Sequence, residues 1–482
     1  MSQEELRAGG HGRRLKHWRP PMSGPNSAGN VGTVLARMRD AVRNNAWVGA
    51  AIEKRAANGV GVGIQAKQVW GTPEFRALVD ALWLAQIKYM DADGVSTFYG
   101  QQQLAWTEWD EAGEVFARIR ARRPTDGLPV PMQVQLIESE QCPRDYYGTA
   151  SNGNAIRQGI EFSSIGKRVA YWMYRSHPGD VTWMDARGNE LVRVPAEQVI
   201  HLYRPLRAGQ IRGIPRCQAV LVLINTLATT RDNVAERQAI QNLFAGFYTR
   251  PPAAANDSIL EESKAGVDED DTPIAGLEPA TMQELPEGWD VKFSSPPGAG
   301  NDYADFVRTE LMAFCARAGI PLEVLTGDLK DISDRALKLV LNEFRRLIEM
   351  DQWLYMIPRF CQLVREAWFD AGVLAGKIVV PNYAELRDEV TAAQWVPQGW
   401  PWSHPVQDVD AETKAVRAGF KPRSDVILGQ GNDPEETDLQ QKRDNERADK
   451  LGLQHDSDGR QSKSAPSKAS APQEGNNDQA DQ

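Results

Sequence analysis

Three aspartates at intervals of three residues, Asp328, Asp331 and Asp334, are the residues of this chain whose type and spacing could hold a divalent cation. Carboxylate oxygens are the ligands that Mg²⁺ and Ca²⁺ prefer, and a bound cation could support metal-assisted hydrolysis of a phosphodiester. The spacing does not match an EF-hand loop, and three carboxylates on one turn repel one another unless they are solvated. The segment therefore predicts a charged loop that faces water or a polyanion, with a metal-dependent nuclease or hydrolase kept as an alternative.

The sequence contains none of the common patterns of an enzyme active site. GxSxG, HExxH and Walker A patterns are absent, and the two Gly-Lys pairs, Gly166-Lys167 and Gly376-Lys377, lack the upstream glycine of a phosphate-binding loop. The six histidines do not cluster, and His201 belongs to an alternating strand pattern, which favours a structural role. We therefore expect no catalytic residue and no cofactor, so any ATP-driven work must belong to another subunit.

The four cysteines lie far apart in the sequence, at positions 142, 217, 315 and 361. Without a CxxC pair they do not predict a zinc site. Cys315 and Cys361 lie in apolar stripes of helical period, where a small buried hydrophobic residue is the expected role.

Size and charge limit the class of protein further. A chain of 482 residues is too long for one ordinary core and predicts two to four packed units. The formal net charge of −10 argues against tight DNA binding, because affinity for DNA comes largely from phosphate neutralisation, but it allows DNA to slide past. No run of about 18 apolar residues predicts a transmembrane helix, and the N-terminus lacks the apolar region of a secretory signal.

Two predicted helices flank the three aspartates. The first ends at Gly319-Ile320-Pro321, because proline lacks an N–H donor and disfavours helix before it. The second is longer, and its apolar stripe runs from Leu337 to about Leu374, so Pro358 is expected to kink it rather than end it. Two helices around a short polar loop favour a mechanical or binding role, in which the helices place the loop.

The remaining segments predict a mixed α+β chain. The pattern GIEFSSIGKRVAYWMYR indicates a β-hairpin that turns at Ser163–Lys167. The fourteen tryptophans could anchor subunit interfaces or fill ordinary cores. In chain order we expect an extended basic arm (1 to about 30), a helical region (31–123), a β-rich unit (131–204), a long helix (213–248), an acidic loop (253–273), charged short helices (410–453) and a disordered tail (454–482).

Several stretches together resemble the lambda-like portal proteins of tailed bacteriophages. The resemblance covers about Asn45 to Gly376 and depends on the order and spacing of stretches that are individually weak. They are NAWVGAAIEKRAANGVGVGI, VQLIESEQC, GIEFSSIGKRVAYWMYRSHPGD, VPAEQVIHLYRPLRAGQIRGIP, AGFYTRP, LEPATMQELPEGWDVKFSSPPGAGNDYADFVRTELMAFCARAGIPLEVLTGDL and EFRRLIE.

The resemblance implies a structural protein of the virion rather than an enzyme. Portal proteins form a homo-oligomeric ring, normally of twelve subunits, at one capsid vertex, and they assemble in the host cytoplasm. Double-stranded DNA slides through the central channel without sequence reading during packaging and ejection. The implied protein partners are the terminase large subunit, the major capsid protein or scaffold, and a head–tail completion protein, with no membrane involved.

The resemblance also implies an elongated portal fold with named parts. The site that it points to is the tunnel loop facing DNA, which includes Gly327, Asp328, Leu329, Lys330, Asp331 and Arg335. The implied layout is an N-terminal arm (1–40), a wing (41–212), a stem helix (213–250), a clip that meets terminase (251–300), a second stem helix (301–320), the tunnel loop (321–336), a long kinked helix with the wing return (337–400), a helical C-terminal crown (401–453) and a disordered tail (454–482).

One departure from the family pattern concerns the tunnel loop. Family members often carry an aromatic residue and paired serines ahead of an arginine, whereas this chain has Asp331-Ile332-Ser333-Asp334-Arg335. Arg335 matches, but the tyrosine and one serine are missing, which leaves the backbone path of the loop open. The alternative function is a non-portal structural connector or scaffold of a virion, in which this loop would not line a channel.

Overall fold

The computed structural model describes residues 24–26, 29–180, 190–241, 247–249, 290–292, 303–330, 332–400 and 405–453. The chain divides into two compact units, residues 1–398 and 399–482. The described residues mix helices with antiparallel sheets, which confirms the expected α+β class. Most of the predicted arm, nearly all of the predicted clip and the predicted tail lie outside the described residues.

Four helices begin the first unit: α1 (Val31–Asn44), α2 (Ala46–Gly59), α3 (Pro73–Ile87) and α4 (Phe98–Ala112). The starts of α2, α3 and α4 follow from capping side chains, which accept hydrogen bonds from otherwise unpaired backbone N–H groups. Asn45 accepts from the N–H groups of Trp47 and Val48, and Thr97 accepts from that of Gly100. Helix α4 ends at Gly113, whose φ of 83° suits glycine. Helix α1 continues four residues past the predicted end of the arm at residue 40.

Two antiparallel sheets, whose strands follow α4 in the chain, pack against each other. One has the order β3-β2-β9, formed by β2 (Glu114–Ala121), β3 (Met132–Ile137) and β9 (Val199–Tyr203). The other runs in chain order through β4 (Gly148–Thr149), β5 (Ala155–Arg157), β6 (Ile160–Phe162), β7 (Arg168–Tyr174) and β8 (Leu191–Pro195). Buried side chains from both sheets, among them Phe116, Tyr171 and Val194, form a shared core.

The predicted hairpin is confirmed, since β6 pairs with β7 across the turn at Ser163–Lys167. The stretch VPAEQVIHLYR, which indicates one strand, instead forms the end of β8 and all of β9, in different sheets. A 3₁₀ turn at Ala196–Gln198 separates the two strands. Two short strand pairs complete the described sheets: β1 (Gln65–Gln68) with β12 (Ala393–Val396), and β10 (Phe247–Thr249) with β11 (Asp290–Lys292).

Helix α5 (Leu221–Gln241) is shorter than the predicted stem helix. It starts eight residues after Gly213, because Gly213 and Gly113 meet at their backbones and residues 216–220 form turns. The expected end near Tyr248 is wrong: Tyr248 belongs to strand β10, as its aromatic and β-branched neighbours favour.

Two further helices, α6 (Tyr303–Ala318) and α8 (Asp334–Asp351), flank a short helix, α7 (Leu322–Thr326). Helix α8 leads into a π-helix (Gln352–Cys361) and then into α9 (Gln362–Leu374), with α10 (Tyr383–Thr391) after it. The helix therefore passes Pro358 without ending, as predicted, but the irregular turns begin six residues earlier, at Gln352. Wide π-type turns accommodate the missing N–H donor of proline within a continuous helix.

Many of the aromatic residues and all four cysteines are buried in the cores. Trp83, Trp106, Trp109 and Trp368 are buried, whereas Trp353 is half exposed. All four cysteines are free and buried, as predicted for Cys315 and Cys361. No helix among the described residues has the length and apolar character needed to cross a membrane.

The second unit contains three helices, α11 (Pro405–Arg417), α12 (Arg423–Gly429) and α13 (Pro434–Leu451). They confirm the predicted charged short helices. None of the three buries a side chain.

Candidate functional site

The predicted loop is an exposed turn that joins α7 to α8. Gly327 caps α7 in a left-handed conformation, with φ of 73°. The Asp328 carboxylate then accepts a hydrogen bond from the N–H of Lys330 at 3.1 Å, and the Ser333 hydroxyl caps α8 by accepting from the N–H of Ala336 at 3.3 Å. The predicted loop of residues 321–336 therefore holds one helical turn, α7, that the sequence did not predict.

The described charged residues of the segment 327–335 are exposed and balanced in sign, and Asp331 adds one further negative charge in the sequence. The predicted site residues Gly327, Asp328, Leu329 and Lys330 are contiguous and exposed, and Arg335 is exposed as the second residue of α8. Asp331 lies outside the described residues. The described carboxylates of Asp328 and Asp334 are matched by the cations of Lys330 and Arg335. A surface of this kind does not hold a polyanion strongly, because phosphate affinity grows with each uncompensated cation.

Lys54 of α2 fixes the start of the loop to the rest of the first unit. Its ammonium group donates to the carbonyl oxygens of Val324 at 2.6 Å and Leu325 at 3.0 Å. These carbonyls belong to the last turn of α7, where a cation also interacts favourably with the helix dipole. Leu325 is buried, so α7 is held by one apolar contact and one charged contact.

A buried ion cluster, which we call the junction cluster, fixes the ends of three helices near the loop. Its members are Arg55, Asp110, Arg204, Arg216 and Asp351. Arg55 donates to Asp110 at 2.9 Å and to Asp351 at 2.8 Å. Arg216 binds both carboxylates and is 2.7 Å from Asp351, and Arg204 reaches Asp351 at 3.2 Å.

The junction cluster connects elements that are far apart in the sequence. Arg55 also donates to the Gly319 carbonyl, directly after α6, at 3.0 Å. Arg216 precedes α5, which packs against α6, and Asp351 is the last residue of α8. Helices α5 and α6, which precede the loop region, and helix α8, which follows it, are therefore anchored by the same buried cluster.

The electrostatics of the junction cluster keep it charged. Burial by itself raises the pKa of Asp110, but Arg216 and Arg55 outweigh burial and hold that pKa below its ordinary value. Burial would lower the pKa of Arg216, but the two carboxylates hold it above its ordinary value. Removing one member would leave buried charge without a partner, which costs far more than losing an exposed pair.

A second buried cluster, the Glu114 cluster, surrounds Glu114 at the start of β2. Arg212 donates to both carboxylate oxygens of Glu114, with Nε at 2.8 and 3.0 Å, and Arg144 donates at 2.6 Å. The N–H of Gly213 donates to Glu114 at 2.8 Å. Arg212 in this cluster and Arg216 in the junction cluster lie four residues apart, so both clusters fix the segment that leads to α5.

His201 completes the Glu114 cluster as a neutral ring. Arg168 donates to its Nδ1 at 2.9 Å, so Nδ1 accepts and Nε2 donates to Glu114 at 3.0 Å. Burial lowers the pKa of His201 to about 4, although Glu114 opposes this effect. Burial would raise the pKa of Glu114, but Arg144, Arg212 and His201 hold it well below its ordinary value. The structural role predicted for His201 is confirmed.

Among the described residues, one group of three potential metal ligands comes together: Glu138, Glu140 and His177. Arg39 already occupies the position between the carboxylates, at 3.6 Å from Glu138 and 3.1 Å from Glu140. Asp328 and Asp334 are not part of this group. The group therefore offers no support for hydrolysis at the predicted loop.

Neither cluster follows from the motifs and periodic patterns of the sequence. A usable signal exists within single helices: Arg55 falls on the buried stripe of α2 with Val48, Ile52 and Ala56, where an apolar residue is the norm. Asp351 likewise continues the buried stripe of Phe344 and Ile348. A charge on an apolar stripe predicts a buried partner, but not which distant residue supplies it.

Comparison with known proteins identifies relatives. A family model described as "Phage portal protein, lambda family" matches residues 11–352. The probable portal protein of Halomonas phage phiHAP-1 is 27% identical over 351 residues, which cover 71% of this chain and 64% of that protein. The chain thus spans a little under two thirds of the length of that relative. The portal protein of Escherichia phage N15 is 21% identical, over 92% of this chain and 90% of its own.

Two further comparisons are more distant. Portal protein B of Escherichia phage lambda is 20% identical, over 90% of this chain and 88% of its own length. A solved chain titled "Neck of native GTA particle computed with C12 symmetry" is 13% identical, covers 83% of this chain and 94% of its own, and superposes with a TM-score of 0.47.

Proposed function

The chain belongs to the lambda family of phage portal proteins, and we propose that its copies close into a ring of about twelve subunits around a channel for double-stranded DNA. In this proposal the ring occupies one capsid vertex and assembles in the host cytoplasm. It docks the terminase large subunit during packaging, contacts the major capsid protein or scaffold, and later binds a head–tail completion protein.

We assign the parts of the chain within the ring by family membership. Residues 41–212 form the wing, with residues 337–400 as the long kinked helix and its return. Residues 213–250 and 301–320 form the stem, residues 251–300 the clip that meets terminase, and residues 401–453 the crown.

The observation that carries the proposal is the exposed loop of residues 327–330 held between anchored helices. Before the loop, Lys54 holds α7 and Arg55 of the junction cluster holds Gly319; after it, the cluster holds Asp351 at the far end of α8, while residues 327–330 themselves are exposed. Its balanced charges suit a surface past which a polyanion slides, because each uncompensated cation would act as a brake. We propose that this loop, continued through Asp331 to Arg335, lines the channel.

The test compares two variants matched in chemistry. Leu329→Gly with Lys330→Gly changes the loop. The control, Ile165→Gly with Lys167→Gly, changes another exposed aliphatic residue and lysine, in the β6–β7 turn. Negative-stain images should show rings with an open axial hole for both variants and for the parent chain. Virions assembled with the loop variant should package or retain less DNA than those with the turn variant.

Three outcomes contradict parts of the proposal. Monomers without rings at every concentration exclude a portal. Rings of the loop variant with normal DNA content would show that the loop does not line the channel, and they would favour a non-portal connector or scaffold. Magnesium-dependent DNA cleavage that is abolished by Asp328→Ala and Asp334→Ala would instead support the nuclease alternative.

A further inference from the structure

Three arginines project from one face of the sheet β3-β2-β9. Arg118 and Arg120 belong to β2, and Arg122 continues its pairing, since the Arg122 N–H donates to the Pro131 carbonyl at 2.9 Å. Residues two apart on a strand share a face and are separated by about 7 Å. We call Arg118, Arg120 and Arg122 the arginine ladder.

Neutral groups, rather than carboxylates, hold the arginine ladder in place. Arg120 donates from Nε to the Gln135 side-chain oxygen at 3.0 Å, and Arg122 donates to that of Gln133 at 2.7 Å. The Nε of Arg118 is buried and makes no hydrogen bond. These contacts orient the guanidinium groups along the strand but leave their positive charge uncompensated.

The ladder continues into a cleft of about 280 Å³ between the two sheets. Arg118 and Arg120 form one side, and Arg175 of the segment after β7 adds a third guanidinium group. Gln135 and Gln141 supply amide groups, and no carboxylate among the described residues lines this cleft. Described acids near it include Glu190, which pairs with Arg175 at 3.2 Å in an exposed position, and Asp93, which accepts from Gln135 at 3.3 Å.

The guanidinium groups of the ladder destabilise one another. Burial lowers the pKa of Arg118 and of Arg120, and repulsion from Arg118 and Arg122 lowers the pKa of Arg120 further. Asp93 offsets only part of this effect. An anion along the ladder would relieve the repulsion that the protein itself leaves in place.

We propose that the arginine ladder binds the phosphate backbone of double-stranded DNA, at a site separate from the loop of residues 327–330. Evenly spaced cations and side-chain amides are the groups that contact phosphate oxygens in protein–DNA complexes. Protein–protein interfaces are enriched in arginine as well as in aromatic residues, so arginine alone does not distinguish a protein partner from nucleic acid. The regular spacing of the guanidinium groups, about 7 Å, and the neutral amides beside them favour a repeating phosphate backbone over an acidic protein segment. The inference does not depend on ring formation.

The test measures binding of a fluorescein-labelled 20-base-pair duplex to the full-length protein by anisotropy over a range of NaCl concentrations. The triple variant Arg118→Gln, Arg120→Gln, Arg122→Gln should bind at least about tenfold more weakly near 0.1 M salt. The slope of log K against log salt should fall in magnitude by about 2–3, since each phosphate contact contributes about 0.9. Lysine at the same three positions should restore most of the slope.

Controls separate the ladder from general charge and from the proposed channel. Arg417→Gln, Lys442→Gln, Arg443→Gln removes the same charge from exposed positions in the second unit and should leave affinity and slope unchanged. Leu329→Gly with Lys330→Gly should keep the ladder-dependent part of the slope. The single Arg122→Gln variant, farthest from the core, should lower the slope by about 1 if the triple variant folds poorly.

Three results would overturn the inference. One is an unchanged affinity and slope in the triple and single variants. Another is an equal loss in the second-unit control. The third is poly-glutamate of matched charge binding the parent chain more tightly than the duplex, with that binding abolished by the triple variant, which would make the ladder a protein-docking surface. Ring imaging is independent of all three, so failure here is distinguishable from failure of the proposed function.

Discussion

Asp351 is the side chain on which most of the junction cluster depends. It accepts hydrogen bonds from Arg55, Arg204 and Arg216, and only 1% of its side chain is exposed. Its partners come from α2, from the segment after β9 and from the segment before α5. A buried carboxylate with three guanidinium partners fixes the relative positions of these elements, because no water is available to replace a lost partner.

We expect Asp351→Ala to destabilise the first unit by about 3–5 kcal/mol, since it leaves buried cations unpaired. The matched control is Asp444→Ala, which removes an exposed carboxylate 2.8 Å from Arg447 and should cost less than about 1 kcal/mol. Urea unfolding monitored by tryptophan fluorescence measures both. Equal midpoints for the two variants would show that the junction cluster adds no stability.

A pH effect on stability follows from His201. Its pKa in the folded chain, about 4, lies below the value of about 6.5 of an unfolded histidine, so folding disfavours its protonation. The contribution of His201 to the free energy of unfolding is therefore fully present above pH 6.5. It is lost as the pH falls toward 4, by at most about 1.4 kcal/mol per pH unit. The depressed pKa of Glu114 extends the loss to lower pH.

The measurement is the thermal midpoint between pH 7.5 and 4.5. His201→Gln should flatten this dependence by about one proton. A parent-like slope in the His201 variant would assign the pH dependence to other groups.

Among the elements, the short helix α7 decides where the loop begins. The sequence predicts the helix before it, the Gly-Ile-Pro stop and the polar loop, because those signals are local. It does not predict α7, since five residues are too few to show a period and its stability comes from Lys54 and buried Leu325. The sequence also did not predict that α5 ends near Gln241 or that Tyr248 lies in a strand, because β10 depends on pairing with the distant β11.

Replacing Lys54 by methionine should loosen the loop without unfolding the chain. The variant keeps the aliphatic stem but removes the donor to Val324 and Leu325, so the last turn of α7 should fray. Brief trypsin digestion should cleave after Lys330 faster than in the parent chain. Lys377→Met, at an exposed position, is the control, and equal cleavage in both variants would show that Lys54 does not hold the loop.

At the scale of the whole molecule, the two compact units differ in how they are stabilised. The first has cores rich in tryptophan and phenylalanine together with two buried ion clusters. The helices of the second bury no side chain, and Val406, Phe420 and Leu451 are exposed. Charged composition was enough to predict these helices, but three amphipathic helices without a core are marginal in isolation.

A chain ending at residue 398 should therefore unfold at the same temperature as the full-length chain, within about 2 °C. The separate fragment of residues 399–482 should show helical circular dichroism that rises with concentration, because its apolar side chains can be covered only by other copies. A lower unfolding temperature after truncation, or concentration-independent helicity of the fragment, would contradict this division of stability.

The pairing of Arg55 with Asp351 joins residues 296 positions apart, which has a consequence for biosynthesis. A ribosome that adds about 5–20 residues per second needs roughly 15–60 s to translate the intervening chain. During that interval the guanidinium group made early has no acidic partner from the long helix made late. The amino-terminal half must therefore leave the ribosome incompletely folded. Its packing is completed only after the carboxyl-terminal third has been translated.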